Sequence, residues 1–347
     1  MIKIAISGFG RIGRVALRAI LERYTDKVEV VAVNTSGSMD IYGWAHLLKY
    51  DSIYGKIEKE VKVKDPYPKT KEIGRFLIGK LEIPVLAQRD PGKIPWKDYG
   101  VDIVLECTGV FRTSKDCQGH LLQGAKKVII SAPAKDETPI YLIGVNADSY
   151  KGEEIISNAS CTTNCIAPIA KIMAENFKVV SATMTTIHAY TADQELVDGS
   201  HKDLRRARAA SLNIIPTTTG ASESLVKVLP LFKGKFEAFS IRVPVGCGSL
   251  ADFTFVLDQT IKAERVNRVF DQASEEERYR GILEVTKEPL VSSDIIKNSS
   301  SAIVDLSLTK VVLGNLVKIV SWYDNEWGYS CRLVELAILV GGFKDKK

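Results

Sequence analysis

The N-terminal stretch constrains the fold more than any other part of the chain. A strand-like run, Ile2-Lys3-Ile4-Ala5-Ile6-Ser7, leads straight into Gly8-Phe9-Gly10-Arg11-Ile12-Gly13 and then into a helical run over residues 14–23. Glycines in that spacing permit a tight turn and a close approach of backbone to a pyrophosphate, which then rests on the helix N-terminus. The spacing alone is a weak signal. Its place between a strand and a helix, with a second strand at 28–33 following, makes it a dinucleotide-binding fingerprint. Further strand-like runs at 101–106 and 127–131, with helical stretches between them, predict a parallel sheet wrapped by helices. Between Tyr50 and Leu86 the pattern changes to Lys/Glu alternation and turn residues (Asp65-Pro66-Tyr67-Pro68), which predicts antiparallel hairpins.

At 347 residues the chain is long for one core, so two domains are expected. The second half reads as an α+β domain with a mainly antiparallel sheet. Strands are predicted at 179–188, 235–242 and 251–258, an amphipathic helix at 262–279, a hairpin turning at Leu313-Gly314-Asn315, and a last helix at 327–340. The polar loop 189–209 has no structure pattern of its own, and loops of about 20 residues are usually functional. Only the tail 344–347 reads as loose. A net charge of +5 is too small and too interspersed to argue for nucleic acid. The basic stripe 202–208 is the one local exception. Six cysteines at irregular spacing form neither a disulfide framework nor a zinc knuckle, so no metal is expected and a reduced, cytoplasmic setting is. No signal peptide pattern opens the chain, and no apolar run reaches the roughly 18 residues of a membrane span.

The chemistry gathers at Asn158-Ala159-Ser160-Cys161-Thr162-Thr163-Asn164-Cys165. A β-branched run leads in, and Ile166, Ile169, Ala170 and Met173 follow at helical spacing. Cys161 is therefore expected at a strand-to-helix turn, where free N–H groups and the helix dipole favour a thiolate. Cys165 shares its helix face and is assigned to packing. A cysteine nucleophile needs a base or cation beside it and donors for a developing oxyanion. Among four histidines, His188, at a strand end, is the best candidate for that partner. A dinucleotide fold combined with an activated cysteine points to aldehyde oxidation, because a thiolate turns the aldehyde into a tetrahedral adduct from which hydride can leave.

These motifs, together with Ala45-His46-Leu47-Leu48-Lys49-Tyr50-Asp51-Ser52, Ser131-Ala132-Pro133-Ala134, Ile215-Pro216-Thr217-Thr218-Thr219-Gly220-Ala221 and Ser321-Trp322-Tyr323-Asp324-Asn325-Glu326-Trp327-Gly328-Tyr329, are highly specific. Across essentially its whole length the chain resembles the phosphorylating glyceraldehyde-3-phosphate dehydrogenases. The resemblance implies that Cys161 is the nucleophile and that His188 activates it and assists proton transfer. It implies Thr191 and Arg242 as donors to the substrate's own phosphate, and Ser160, Thr162, Arg206, Thr219 and Gly220 around an attacking inorganic phosphate. Gly8, Gly10, Arg11, Ile12, Gly13, Asn34, Arg89, Thr108, Phe111, Ser131, Asn325 and Tyr329 become cofactor contacts, with Asn325 orienting the nicotinamide amide. A cytoplasmic homotetramer is implied, with the long loop at the subunit interface. The implied domains are a discontinuous dinucleotide-binding domain, 1–160 with 325–347, and a catalytic domain, 161–324. Two alternatives stay open at this level: a dehydrogenase of the same build for erythrose 4-phosphate or an amino-acid semialdehyde, and a non-catalytic RNA-binding relative.

In one place the chain departs from the common pattern. An Asp or Glu is expected at the end of the second strand, about 20 residues beyond the glycines, to bond the ribose 2′-hydroxyl. This strand ends Val33-Asn34-Thr35-Ser36-Gly37-Ser38, with Thr35 where an acid usually stands. Thr35, Ser36 and Ser38 are expected to donate to a 2′-phosphate instead. In the loop, Asp198-Gly199-Ser200-His201 has small polar residues that make room for it. NADP is therefore expected to serve at least as well as NAD.

Overall fold

The computed structural model describes residues 1–343; the tail 344–347, expected to be loose, lies outside the described residues. The chain divides into two compact units. One comprises Met1–Tyr141, Ala147–Ala159 and the described residues from Ser330 onward; the other comprises Leu142–Asn146 and Ser160–Tyr329.

The first unit carries β1 (Ile2–Ser7), α1 (Arg11–Arg23), β2 (Val28–Asn34), α2 (Ile41–Lys49), β3 (Tyr50–Asp51), β4 (Gly55–Lys56), β5 (Val61–Lys64), β6 (Glu72–Ile78), β7 (Leu81–Leu86), β8 (Ile103–Glu106), α3 (Ser114–Leu122), β9 (Lys127–Ile130) and β10 (Ile155–Ser157). Its main sheet has the order β10-β9-β8-β1-β2-β7-β6-β5. Strands β10 through β7 run parallel, whereas β6 and β5 add an antiparallel edge. Central strands covered on both faces read as continuous apolar runs. Ile4, Ala5 and Ile6 of β1 are fully buried accordingly. The chain leaves β1 toward β2 on one side, while β8 lies on the other. The C-terminal end of β1 is thus a topological switch point, where open α/β sheets bind ligands.

The second unit carries α4 (Cys161–Asn176), β11 (Val179–Ala189), β12 (Ile215–Thr217), α5 (Ala221–Val228), β13 (Phe236–Val243), β14 (Ser249–Leu257), α6 (Ala263–Ser274), β15 (Leu283–Thr286), β16 (Ala302–Asp305), β17 (Lys310–Val312), β18 (Leu316–Tyr323) and the start of α7 (Trp327–Gly342). Its sheet has the order β12-β13-β11-β14-β18-β16-β15, with β17 on β18. Most pairs are antiparallel; β11 with β13 and β15 with β16 are parallel. Along β11, Ala182, Met184, Thr186 and His188 alternate inward, the period of a half-buried strand. The β17–β18 hairpin turns through Leu313 at φ 49° and Gly314 at φ 76°, the paired left-handed residues of a tight hairpin.

Two boundaries differ from the sequence expectation. The helix predicted over 262–279 stops at Ser274, and a short 3-10 turn, Glu277–Tyr279, follows. Glu275-Glu276-Glu277 would place negative charge at a helix C-terminus, where the dipole opposes it. The long loop also runs on to Ile214 and is braced internally: Gly199 N–H donates to Ala207 O at 2.9 Å and Ala210 N–H to Glu195 O at 3.0 Å. Among the described residues no helix is long and apolar enough to cross a membrane.

Packing of the glycine turn gives a stability test. A Cβ on Gly13 would lie 2.1 Å from Gly8 O, whereas one on Gly10 meets nothing within 4 Å. Gly13→Ala should therefore destabilise the protein by about 1–3 kcal/mol, the usual cost of overpacking, and Gly10→Ala far less. Equal denaturant midpoints for the two variants would contradict this packing.

Candidate active site

In the first unit a cavity of about 480 Å³ opens where β1, β2, β7 and β8 end, lined by Gly8, Gly10, Asn34, Thr35, Arg89, Thr108 and Phe111 among others. Gly8 adopts φ +92° with Thr108 N only 2.5 Å from where a Cβ would stand. Gly10 has open space there, and as the residue before α1 it brings no side-chain cap. The first N–H groups of α1 are thus left for a ligand, and the turn fits a dinucleotide's pyrophosphate. Arg11 and Ile12 begin that helix. The Arg11 guanidinium is taken up by Asp51 through both Nη atoms, so these two residues offer the site their backbone. Thr108 is held by its N–H and hydroxyl on the buried Glu106 carboxylate. Glu106 also meets His120 Nε2 at 3.0 Å, and Trp96 Nε1–H donates to His120 Nδ1 at 2.9 Å. Ser131 N–H donates to Glu106 O at 2.9 Å.

At the end of β2 the structure corrects the sequence expectation. Thr35 is buried, and its hydroxyl donates to Leu86 O at 3.0 Å while accepting from Gly37 N–H. The hydroxyl hydrogen therefore bonds neighbouring backbone and is not offered to a 2′-phosphate. Asn34 is likewise clasped to Gln88, donating to its carbonyl at 2.8 Å and accepting from its N–H at 2.9 Å. Ser36, Ser38 and Arg89 are exposed at this corner, Arg89 Nε–H donating to Ser36 O at 3.2 Å, and the neighbouring Asp40 and Asp90 are exposed as well.

In the second unit Ser160 is the N-cap of α4. Its Oγ accepts from Thr163 N–H at 3.0 Å, and Cys161 is the first helical residue. Cys161 Sγ lies 3.5 Å from His188 Nε2. The parallel register of β11 and β13 places Arg242 directly beside His188. Arg242 Nη1 is 2.7 Å from His188 Nδ1. That nitrogen is also 2.7 Å from Ala189 O, to which it would donate if protonated. A guanidinium has donors and no acceptor, so the Arg242 contact favours the neutral tautomer with its proton on Nε2, facing the sulfur, whereas the Ala189 carbonyl, to which Arg242 Nη1 also donates at 3.2 Å, favours the proton on Nδ1. Burial, and then the Arg242 charge, push His188 down to about 3. Burial pushes the Cys161 thiol up from its ordinary value, while Arg242, the Thr162 hydroxyl and the N–H groups at the helix start pull it back. On sequence grounds His188 is the expected cation and the thiol is expected below its ordinary value. In the structure the neighbouring charge is Arg242, and burial outweighs the helix end. Cys165 is fully buried with its thiol pushed up to about 12, as suits packing.

The residues expected around phosphate are partly drawn together. Thr191 bonds Asp193, which pairs with Arg206. Arg206 also donates to Thr217 Oγ1 at 2.9 Å and to Thr218 O at 3.1 Å. Asp193 and Arg206 are close enough to act electrostatically on both His188 and Arg242. Thr219 Oγ1 accepts from Ala221 N–H at 3.2 Å, and Gly220 precedes α5 without a side-chain cap. Thr162 is buried with its hydroxyl 3.1 Å from Tyr323 OH. Asn325 Oδ1 accepts from Gly248 N–H and Ser249 Oγ–H, which fixes its amide plane. Tyr329 is buried in the first turn of α7, and Ser200 is exposed on the long loop. Sequence reasoning gives no role to Asp193, Gln88, Tyr323 or Thr186. Of these only Thr186 leaves a signal, being two residues before His188 on the same strand face.

The family model for the NAD-binding domain of glyceraldehyde 3-phosphate dehydrogenase matches residues 2–114, and that for its C-terminal domain matches residues 160–325. The chain is 49% identical over 342 residues to a glyceraldehyde-3-phosphate dehydrogenase of Streptomyces coelicolor, covering 98% of each protein. To the protein of that name from Mycobacterium tuberculosis it is 49% identical over 345 residues, again covering 98% of each.

If Arg242 is the charge that supports the sulfur, Arg242→Met should move the Cys161 alkylation profile to higher pH. With neutral iodoacetamide the rate at pH 7 should fall about tenfold when the profile moves by one on the pH scale. At alkaline pH it should converge with wild type. An unchanged profile would contradict the assignment.

Proposed function

This chain belongs to the glyceraldehyde-3-phosphate dehydrogenase family and is an oxidoreductase, and from that premise we propose how its own residues perform the reaction. The substrates are glyceraldehyde 3-phosphate, inorganic phosphate and NAD(P)+, and the product is 1,3-bisphosphoglycerate. The observation that carries this reading is the Cys161–His188 contact of 3.5 Å at the first residue of a capped helix.

Cys161 Sγ gives up its proton to solvent and attacks the aldehyde carbon as the thiolate, forming a C–S bond and moving the carbonyl electron pair onto oxygen. His188 Nε2–H faces the sulfur and donates to that alkoxide. Loss of hydride from the same carbon reforms the carbonyl as a thioester, and the nicotinamide, when bound, supplies the hydride acceptor. A phosphate oxygen then attacks the thioester carbon, the C–S bond breaks, and the thiolate returns. Arg242 and Thr191 hold the substrate's own phosphate. Arg206, Ser160, the Thr162 backbone N–H, Thr219 and Gly220 serve the attacking one, guanidinium forks, hydroxyls and backbone N–H being what phosphate oxygens accept from. Asn325 presents its NH₂ to the nicotinamide amide.

NADP serves at least as well as NAD in this reading. A buried Thr35 in place of an acid removes the charge that would repel a 2′-phosphate, and Ser36, Ser38 and Arg89 supply donors and a cation at the exposed corner. The assembly is a cytoplasmic homotetramer. Leu196, Val197, Leu204, Leu212 and Ile214, all exposed on or beside the long loop, give it an apolar surface to bury against another copy.

Two measurements test the proposal. Cys161→Ser should bind cofactor yet lose nearly all turnover, with Cys165→Ser nearly unaffected, and turnover should require inorganic phosphate or arsenate. Sustained turnover without either anion would point to a hydrolytic dehydrogenase. In steady-state kinetics kcat/KM with NADP should equal or exceed that with NAD, and Ser36→Ala with Arg89→Met should lower only the NADP value. A wild-type preference for NAD of about tenfold, or roughly 1.4 kcal/mol, would refute the cofactor reading.

A further inference from the structure

Three buried hydroxyls run in a line beneath the nucleophile. Thr186 Oγ1 on β11 is 2.8 Å from Tyr323 OH on β18, and Tyr323 OH is 3.1 Å from Thr162 Oγ1 on α4. All three residues are at least 96% buried: Thr186 at 1%, Tyr323 at 1% and Thr162 at 4% exposure. Thr162 Oγ1 in turn lies 4.0 Å from Cys161 Sγ, the outer limit for a bond to sulfur.

Counting hydrogens gives the line a direction. Three hydroxyls carry three hydrogens, and the two bonds between them use two, so one hydrogen is left over, on Thr186, on Tyr323 or on Thr162. On Thr186 or on Tyr323 it would be buried with no further acceptor among the described residues. At the Thr162 end it meets the sulfur. An unmatched buried donor is costly, so the second orientation wins. The direction is Thr186→Tyr323→Thr162→Cys161, and each bond polarises the next.

We propose that Tyr323 is a positioning residue for the nucleophile: by donating to Thr162 it turns the Thr162 hydroxyl hydrogen onto Cys161 Sγ and so favours the thiolate. This rests on the reading of Cys161 as nucleophile. It adds a source of stabilisation that is independent of the helix end, of His188 and of Arg242. The titratable and charged groups that face the sulfur are His188 on β11, Arg242 on β13, Tyr323 on β18 and Cys165 on α4, with Asp193 and Arg206 acting on the same cluster. Tyr323 itself stays a phenol, since burial raises it far above its ordinary value. No proton leaves the line; only the orientation of its hydrogens matters.

The test compares iodoacetamide alkylation of Cys161, followed by peptide mass mapping, across neutral to alkaline pH in the full-length wild type, Tyr323→Phe and Thr186→Val. Both variants lose a buried hydroxyl, so both should melt lower. Only Tyr323→Phe disconnects Thr162 from its donor. Its profile should move about 0.5 higher in pH, a roughly threefold slower reaction at pH 7, with the alkaline plateau unchanged. Thr186→Val should keep the wild-type profile despite its lower stability. A Tyr323→Phe profile that superimposes on wild type, or a Thr186→Val profile that moves as far, would overturn the proposal. Turnover measured on the alkylated wild type separates this from the underlying reading. If alkylated enzyme remains active, Cys161 is not the nucleophile, whatever the profiles show.

Discussion

Ser160 leaves an extended segment and caps α4 by accepting the Thr163 N–H, and the helix that starts there holds Cys161 at its first position with its buried face locked into the sheet below. Ile166, Ile169, Ala170 and Met173 are fully buried along that face, so neither the axis nor the rotation of α4 is free. The strand register does the rest. His188 and Arg242 are neighbours in a parallel pair, which places an imidazole toward the sulfur and a guanidinium behind the imidazole. The cysteine is thus served by four kinds of support: helix N–H groups, the Thr162 hydroxyl, an imidazole and a nearby cation. Each opposes the burial that disfavours its charge. Removing the cap or shifting the register by one residue would separate them all.

The first unit applies the same economy to a ligand. Its glycine turn is closed at Gly8 and Gly13, where a methyl would strike backbone, and open at Gly10, where nothing is in the way. The polar side chains around the cavity mostly serve to hold its walls. Asn34 clasps Gln88, Thr35 bonds Leu86, Thr108 hangs on Glu106, and Arg11 is paired with Asp51. Phe9, Trp44, Ile94 and Phe111 supply apolar lining, with Ser36 and Arg89 at the corner that would meet an adenosine ribose. A cavity walled in this way can discriminate by charge and shape with few free side chains.

Local sequence carries much of this. The strand–glycine–helix unit, the helix beginning at Cys161, the hairpin at Leu313-Gly314 and the inward alternation ending at His188 all depend on residues adjacent in the chain, so turn and capping chemistry reveals them. What stays hidden depends on pairings distant in sequence. That Arg242 sits on His188 Nδ1 follows from the β11–β13 register, which no local pattern encodes. The position of Thr35 just after a strand suggests a side chain facing a ligand, but that side chain turns to a carbonyl of β7, 51 residues away. The line from Thr186 to Thr162 joins two strands and a helix through Tyr323, and nothing near any one of them announces the others. The end of α6 escapes for a different reason. Its amphipathic pattern continues past Ser274, while the three glutamates that follow make the helix C-terminus unfavourable.

The central claim is that carbon–sulfur bond formation at Cys161 precedes and permits the oxidation. It is tested most directly by mixing enzyme, glyceraldehyde 3-phosphate and oxidised cofactor rapidly without phosphate, then quenching for intact and peptide mass. The account predicts a burst of reduced cofactor matching the enzyme present, with an acyl group on Cys161 that disappears when phosphate is added. Continued oxidation to the free acid with Cys161 unmodified throughout would contradict it.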